Sequence, residues 1–271
     1  MSKFKKILKW VLILVLVLYV SLCCFYYFSQ EKVLFNTSVK LKHEHVFKFS
    51  EPFEERYIPM PDKKKLNGVL FKAKESKGLI LWFPGGRGMI DSIGVDSKPY
   101  TDLKYDLFIL NFRGYGKSEG EISSEKQFKQ DMQSVYDYFK KEYQEKNIIL
   151  FGYSAGTGPA ASIAASNNPK MLILQAPYYS MENEAQRAFF YLPIPLLSRY
   201  EFPIYSYLQK TKCPIVLIHG DNDKKIPAKT SSYRLKEFLK PTDQLIILKG
   251  QGHNYYLENA AYLHELSRII K

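Results

Sequence analysis

The chain is poor in cysteine, with three in 271 residues: Cys23, Cys24 and Cys213. An odd, clustered set excludes a secreted-type disulfide framework and a four-thiolate metal site. Long charged runs are also scarce. The formal net charge is +12, yet past the N-terminus the longest basic run is Lys63-Lys64-Lys65, and no basic stripe alternates with aromatics. That excludes the electrostatic footprint of a nucleic-acid binder. His43 and His45 form a pair with no third ligand nearby, so no metal is expected there, and no motif implies a cofactor. What the chain does have is 46% hydrophobic against 24% charged residues, enough for one well-cored domain of roughly 200 to 250 residues plus a tail.

The tail is the N-terminus. Lys3, Lys5, Lys6 and Lys9 precede an apolar run from Trp10 to Phe28, 19 residues broken only by Ser21. As a helix it covers roughly 28 Å, close to a bilayer's hydrocarbon core. A signal peptide usually has a shorter apolar core and a small-residue cleavage site, for which Ser21-Leu22-Cys23 is a weak candidate. The preferred reading is an uncleaved, single-pass signal anchor over residues 1–28. Four lysines before the span against Lys32 alone just after it favour a cytoplasmic N-terminus and an extracytoplasmic domain. Residues 29–50 mix charge and aromatics without period and read as a juxtamembrane linker.

Short alternating stretches at 55–59 and 66–72, joined by a turn at Pro61-Asp62-Lys63-Lys64-Lys65, predict an antiparallel hairpin. From Gly78 the rhythm changes. Apolar runs at 79–83, 107–111, 148–151, 171–175, 215–219 and 245–248 alternate with helix-like stretches at 124–143, 155–166, 231–239 and 260–270. Fully apolar strands between helices signal a mostly parallel, doubly wound α/β sheet covered on both faces. Chemistry in such sheets collects at the carboxyl ends of the strands.

After the strand at 148–151 comes Gly152-Tyr153-Ser154-Ala155-Gly156, a G-x-S-x-G turn between strand and helix. That context is the nucleophile elbow, which forces a serine onto a tight turn. Gly156, Gly158 and Ala161 also fit a dinucleotide fingerprint, but Gln175 stands where the ribose-binding acid belongs. Gly116-Lys117-Ser118 suggests a phosphate loop, but Asn111 stands where its first glycine belongs. A serine nucleophile needs a base and an acid to orient the base. His253, in the glycine-flanked loop after the last strand, is placed to be that base. His219 ends a strand and reads as a packed or capping residue. Asp221 and Asp223, after the penultimate strand, are both candidates for the acid.

Four motifs in order, N-F-R-G-Y-G-K-S-E-G from Asn111, G-Y-S-A-G from Gly152, H-G-D-N-D-K-K-I-P from His219 and G-Q-G-H-N from Gly250, resemble the α/β-hydrolase fold family. The resemblance covers roughly residues 51–271 and is closest to the small-lid, serine aminopeptidase-like and lipase-like branch, many of whose members carry an N-terminal membrane anchor. It implies Asp223 as the acid and Asp221 as a neighbour. It also implies an oxyanion hole formed by the backbone N–H groups of Gly86 and Ala155.

Two features depart from the family. Phe83-Pro84-Gly85-Gly86-Arg87 stands where the family has His-Gly, and is harmless if the donor is Gly86, because proline has no N–H. Asn111 replaces the family's aspartate, an exchange expected to alter packing or loop hydrogen bonding. Arg87 is a candidate to read a substrate anion, with plain solvent exposure as the simpler account. The aromatic, proline-rich insert at about 176–213 reads as a lid. Near a membrane it favours a small-molecule acyl ester, thioester or lipid-like substrate, although the same side chains equally suit packing onto the helices below. The expected activity is serine esterase, lipase or thioesterase chemistry. The alternatives are aminopeptidase-like amide hydrolysis and a catalytically silent binding module.

Overall fold

The computed structural model describes residues 3–35, 40–86, 90 and 97–270. Helix α1 runs over Lys3–Leu34, six residues past the expected end of the anchor. The start of the expected linker is therefore helical. The cause is tertiary: Tyr26, Gln30 and Phe35 are buried against the domain, and that packing carries the helix on through Gln30, Glu31 and Lys32.

Strands β1 (Phe53–Pro59) and β2 (Lys65–Phe71) form the antiparallel hairpin, in register from Phe53 opposite Phe71 to Pro59 opposite Lys65. Next come β3 (Leu79–Phe83), the short α2 (Lys98–Thr101), β4 (Asp106–Leu110), α3 (Glu125–Phe139), β5 (Ile148–Tyr153), α4 (Thr157–Ser166) and β6 (Met171–Gln175). The lid carries α5 (Met181–Ala188), α6 (Ile194–Leu197) and α7 (Ile204–Lys210). The chain closes with β7 (Ile215–Gly220), α8 (Ser232–Leu235), β8 (Gln244–Leu248) and α9 (Ala260–Ile269). Among the described residues the sheet has eight strands, in the order β1-β2-β4-β3-β5-β6-β7-β8. β1 and β2 are antiparallel and the pairings from β4 through β8 are parallel.

The period of two along each strand divides the core. Leu79, Leu81 and Phe83 face one apolar layer with Phe108, Phe128 and Tyr136, while Ile80 and Trp82 face the other with Ile109, Phe151 and Tyr262. Both faces are covered, which is why these strands read as continuous apolar runs. Helix starts are capped where the sequence supplies short polar side chains. Ser124 accepts from the Gln127 N–H, Ser180 from Asn183, and Asn259 from Ala261 and Tyr262. The connections after β3, β5, β7 and β8 leave from the same edge of the sheet and bring the elbow, the Asp223 turn and the His253 loop together.

Candidate active site

β5 ends in Gly152-Tyr153, and the next residue, Ser154, has φ of +51°. A left-handed conformation costs an ordinary residue roughly 1–2 kcal/mol, so tertiary contacts must hold it. They do so through close approach. A Cβ on Gly156 would lie 2.2 Å from the Phe83 carbonyl oxygen, and one on Gly152 would lie 2.7 Å from the Gly156 carbonyl oxygen. Only glycine lets β3, β5 and α4 meet around this turn.

The Ser154 hydroxyl lies 3.0 Å from His253 Nε2, and both residues are buried apart from a small exposed fraction. His253 Nδ1 is 2.7 Å from Asp223 Oδ2. The other carboxylate oxygen of Asp223 accepts from the Lys225 and Ile226 N–H groups, each at 2.9 Å. Burial pushes this carboxyl up, but hydrogen bonds from His219, His253 and the Ile226 N–H outweigh it and hold the group well below the ordinary carboxylate range. An ionised Asp223 requires a proton on His253 Nδ1, which leaves Nε2 free to accept from Ser154. Of the two aspartates left open by the sequence, the structure brings only Asp223 to the histidine. Asp221 turns away and accepts from the Gly250 N–H at 2.7 Å, tying the Asp223 turn to the base of the His253 loop.

Gly86 sits beside the elbow. A Cβ added there would lie 3.4 Å from the Ala155 Cβ, so the two expected oxyanion donors are neighbours. The Tyr115 hydroxyl donates to the Gly86 carbonyl at 3.1 Å. Arg87 lies outside the described residues. Asn111 is fully buried and its amide donates to Asn67 Oδ1 at 3.0 Å.

The model of the family described as serine aminopeptidase, S33, matches residues 74–201, a stretch that contains Ser154. A solved structure titled α/β hydrolase GrgF, from Penicillium sp. sh18, superimposes with a TM-score of 0.66 at 20% identity, covering 81% of this chain and 98% of that one. The chain has the α/β-hydrolase fold. An esterase from Pyrococcus furiosus shares the fold with a TM-score of 0.64 at 17% identity, covering 86% of this chain and 94% of that one. In sequence, this chain is 29% identical over 170 residues to the α/β hydrolase domain-containing protein aho-3 of Caenorhabditis elegans, 62% of this chain and 49% of that protein. The match spans about half the length of that relative.

Two residues of this chain matter more than their motifs suggested. Tyr153, the variable position of G-x-S-x-G, donates its hydroxyl to the His253 carbonyl at 2.9 Å and to Asn254 Oδ1 at 2.8 Å, so the residue before the serine also latches the histidine loop. His219 is packed, as its position suggested, and Nε2 faces two acceptors, the Ile226 carbonyl at 2.8 Å and Asp223 Oδ2 at 3.2 Å. That nitrogen therefore carries a proton, and Nδ1 is left to accept from Ser232 Oγ at 2.7 Å. The signal for Tyr153 was its place beside the elbow. For the contact between His219 and Asp223 there was none, because that turn follows four residues later and only the fold closes it.

Proposed function

We propose that this chain is a membrane-anchored serine hydrolase that cleaves carboxylic ester or thioester bonds of acyl or lipid-like substrates through an acyl-enzyme. The observation that carries the reading is the Ser154, His253 and Asp223 relay, 3.0 Å and 2.7 Å long, hung on a serine with positive φ. As Ser154 Oγ attacks the carbonyl carbon, His253 Nε2 takes its proton and Asp223 stabilises the imidazolium. The oxyanion rests on the N–H groups of Gly86 and Ala155. Collapse expels the alcohol or thiol, which takes the proton back from His253. Water then attacks the acyl-enzyme with His253 again as base, and the acid leaves as Ser154 recovers its proton.

The acyl preference is supported by the apolar lid beside an N-terminal helix long and apolar enough to cross a membrane. In this reading Lys3, Lys5, Lys6 and Lys9 stay in the cytoplasm and the catalytic domain lies on the far side. The test is labelling of the full chain by a fluorophosphonate probe, followed by a chain-length series of p-nitrophenyl esters beside an aminopeptidase substrate. Wild type should label, and Ser154→Ala should not label and should fall to near-background turnover. Absence of labelling in folded wild type removes the enzyme reading. The match to the aminopeptidase family favours one rival, amide cleavage, which the second substrate detects.

A further inference from the structure

The lid contains nine consecutive uncharged, largely apolar residues, Phe189-Phe190-Tyr191-Leu192-Pro193-Ile194-Pro195-Leu196-Leu197. Phe190 is 79% and Leu196 84% exposed, although Leu192 and Ile194 beside them are buried. The segment is not adrift in solvent. It lies along α1: the Tyr26 and Phe189 rings are 5.2 Å apart, Gln30 Nε2 donates to the Leu197 carbonyl at 2.8 Å, and the Tyr19 hydroxyl donates to the Tyr191 carbonyl at 3.2 Å. Tyr19 lies midway along the apolar run of α1. The polar end of the same contact, where Glu31 meets Arg199 at 2.6 Å and the Tyr200 hydroxyl at 2.8 Å, is twelve residues further out, roughly 18 Å along the helix axis. The tip of the lid is level with the outer half of the apolar run of α1.

Much of the backbone of the tip is satisfied internally. Non-helical chain reaches membrane depth only when its polar groups are satisfied internally. Here the carbonyls of Phe189 and Leu192 accept from the Leu192 and Ile194 N–H groups, and those of Pro193 and Ile194 from Leu196 and Ser198. The Phe190 carbonyl accepts from Gln186 Nε2 at 3.3 Å, Tyr191 from Tyr19, and Leu197 from Gln30. Pro193 and Pro195 have no N–H to satisfy. The far end of α1 reaches the candidate site, since a Cβ on Gly86 would lie 3.6 Å from the Leu34 carbonyl oxygen.

We infer that the lid segment Phe189–Leu197 is a membrane-contact surface that seats in the same phospholipid leaflet as the outer half of α1. This rests on the reading of α1 as a membrane span. The occupant is lipid because the exposed side chains continue the apolar surface of α1 with no charge between Ala188 and Ser198, while the paired Glu31 and Arg199 mark the polar edge.

The experiment uses full-length protein in phosphatidylcholine vesicles, with Phe190→Trp and, separately, Leu196→Trp in a Trp10→Phe background. Tyr233→Trp in that background serves as a domain control, and Trp82 stays buried in all of them. Expected is loss of emission from the tryptophans at 190 and 196 with doxyl-labelled phosphatidylcholine, protection from aqueous iodide, and the reverse at 233. Iodide quenching at 190 and 196 as strong as at 233, with Trp10 of the wild type still quenched by the doxyl lipid, overturns the inference and leaves the span intact. Failure of the lipid to quench Trp10 removes the span and the inference with it. Because the readout needs no turnover, it holds equally in Ser154→Ala and is separate from the labelling test.

Discussion

At the scale of single residues, the two aspartates of the H-G-D-N-D turn have opposite duties and their variants should separate. Asp223→Asn keeps the shape but removes the charge that holds His253 in its tautomer, so kcat should fall by on the order of 10⁴-fold. Asp221→Ala loses only a loop bond to the Gly250 N–H and should keep kcat within about tenfold, one bond of this kind being worth roughly 1 kcal/mol. Ester turnover by the two purified variants decides this. The carboxyl of Asp223 is held below its ordinary range, so its contribution to stability is complete above the unfolded value of about 4 and drains away as pH falls below it. Melting temperatures at pH 6 and pH 3 should therefore drop further for wild type than for Asp223→Asn. An equal drop would mean that the folded carboxyl is not depressed.

At the scale of elements, the loop after β4 is fastened by one buried guanidinium. Arg113 spans Asp131 on α3, at 2.7 and 2.8 Å, and Asp62 in the hairpin turn, at 2.7 and 3.2 Å. The same loop presents Tyr115, which holds the Gly86 carbonyl. Arg113→Met strands Asp131 as a buried, unpaired charge and should cost about 3–5 kcal/mol, whereas the double variant with Asp131→Leu should recover most of that. Thermal melts of the single and double variants give the answer. The lid is fastened comparably, with Glu125 at the start of α3 accepting from the Glu201 and Phe202 N–H groups.

At the scale of the whole molecule, α1 is long and apolar enough to cross a membrane and is also a structural member of the domain. Phe35 packs edge-on against Phe128 and Tyr200, and Tyr26 against Phe189. Deleting residues 1–35 uncovers Leu192, Ile194 and Tyr200. The truncated chain should melt several degrees lower than the full chain in the same detergent, because each uncovered side chain forfeits roughly 1.5–3 kcal/mol of burial. Deleting residues 1–18 spares those contacts and should leave the melting temperature unchanged. If both truncations melt alike, the helix is only a tether.

The alternation of apolar strands and helices, the glycine spacing around Ser154 and the order serine, aspartate, histidine could all be read from the chain alone, because they answer to local rules: side-chain period, steric room at a turn, and a loop after each strand. The sequence could not choose between Asp221 and Asp223 on its own residues, because two carboxylates two positions apart differ only in which way a folded turn aims them. It could not show His219 beside Asp223, Tyr153 latching the histidine loop, or the anchor helix continuing to Leu34. Those pairings join residues made neighbours by packing, and an apolar stretch in isolation reads as a span up to the point where its charges begin. The tertiary structure alone decided that Gln30, Glu31 and Phe35 have partners in the lid and on α3, where buried contact outweighs the local signal for a linker.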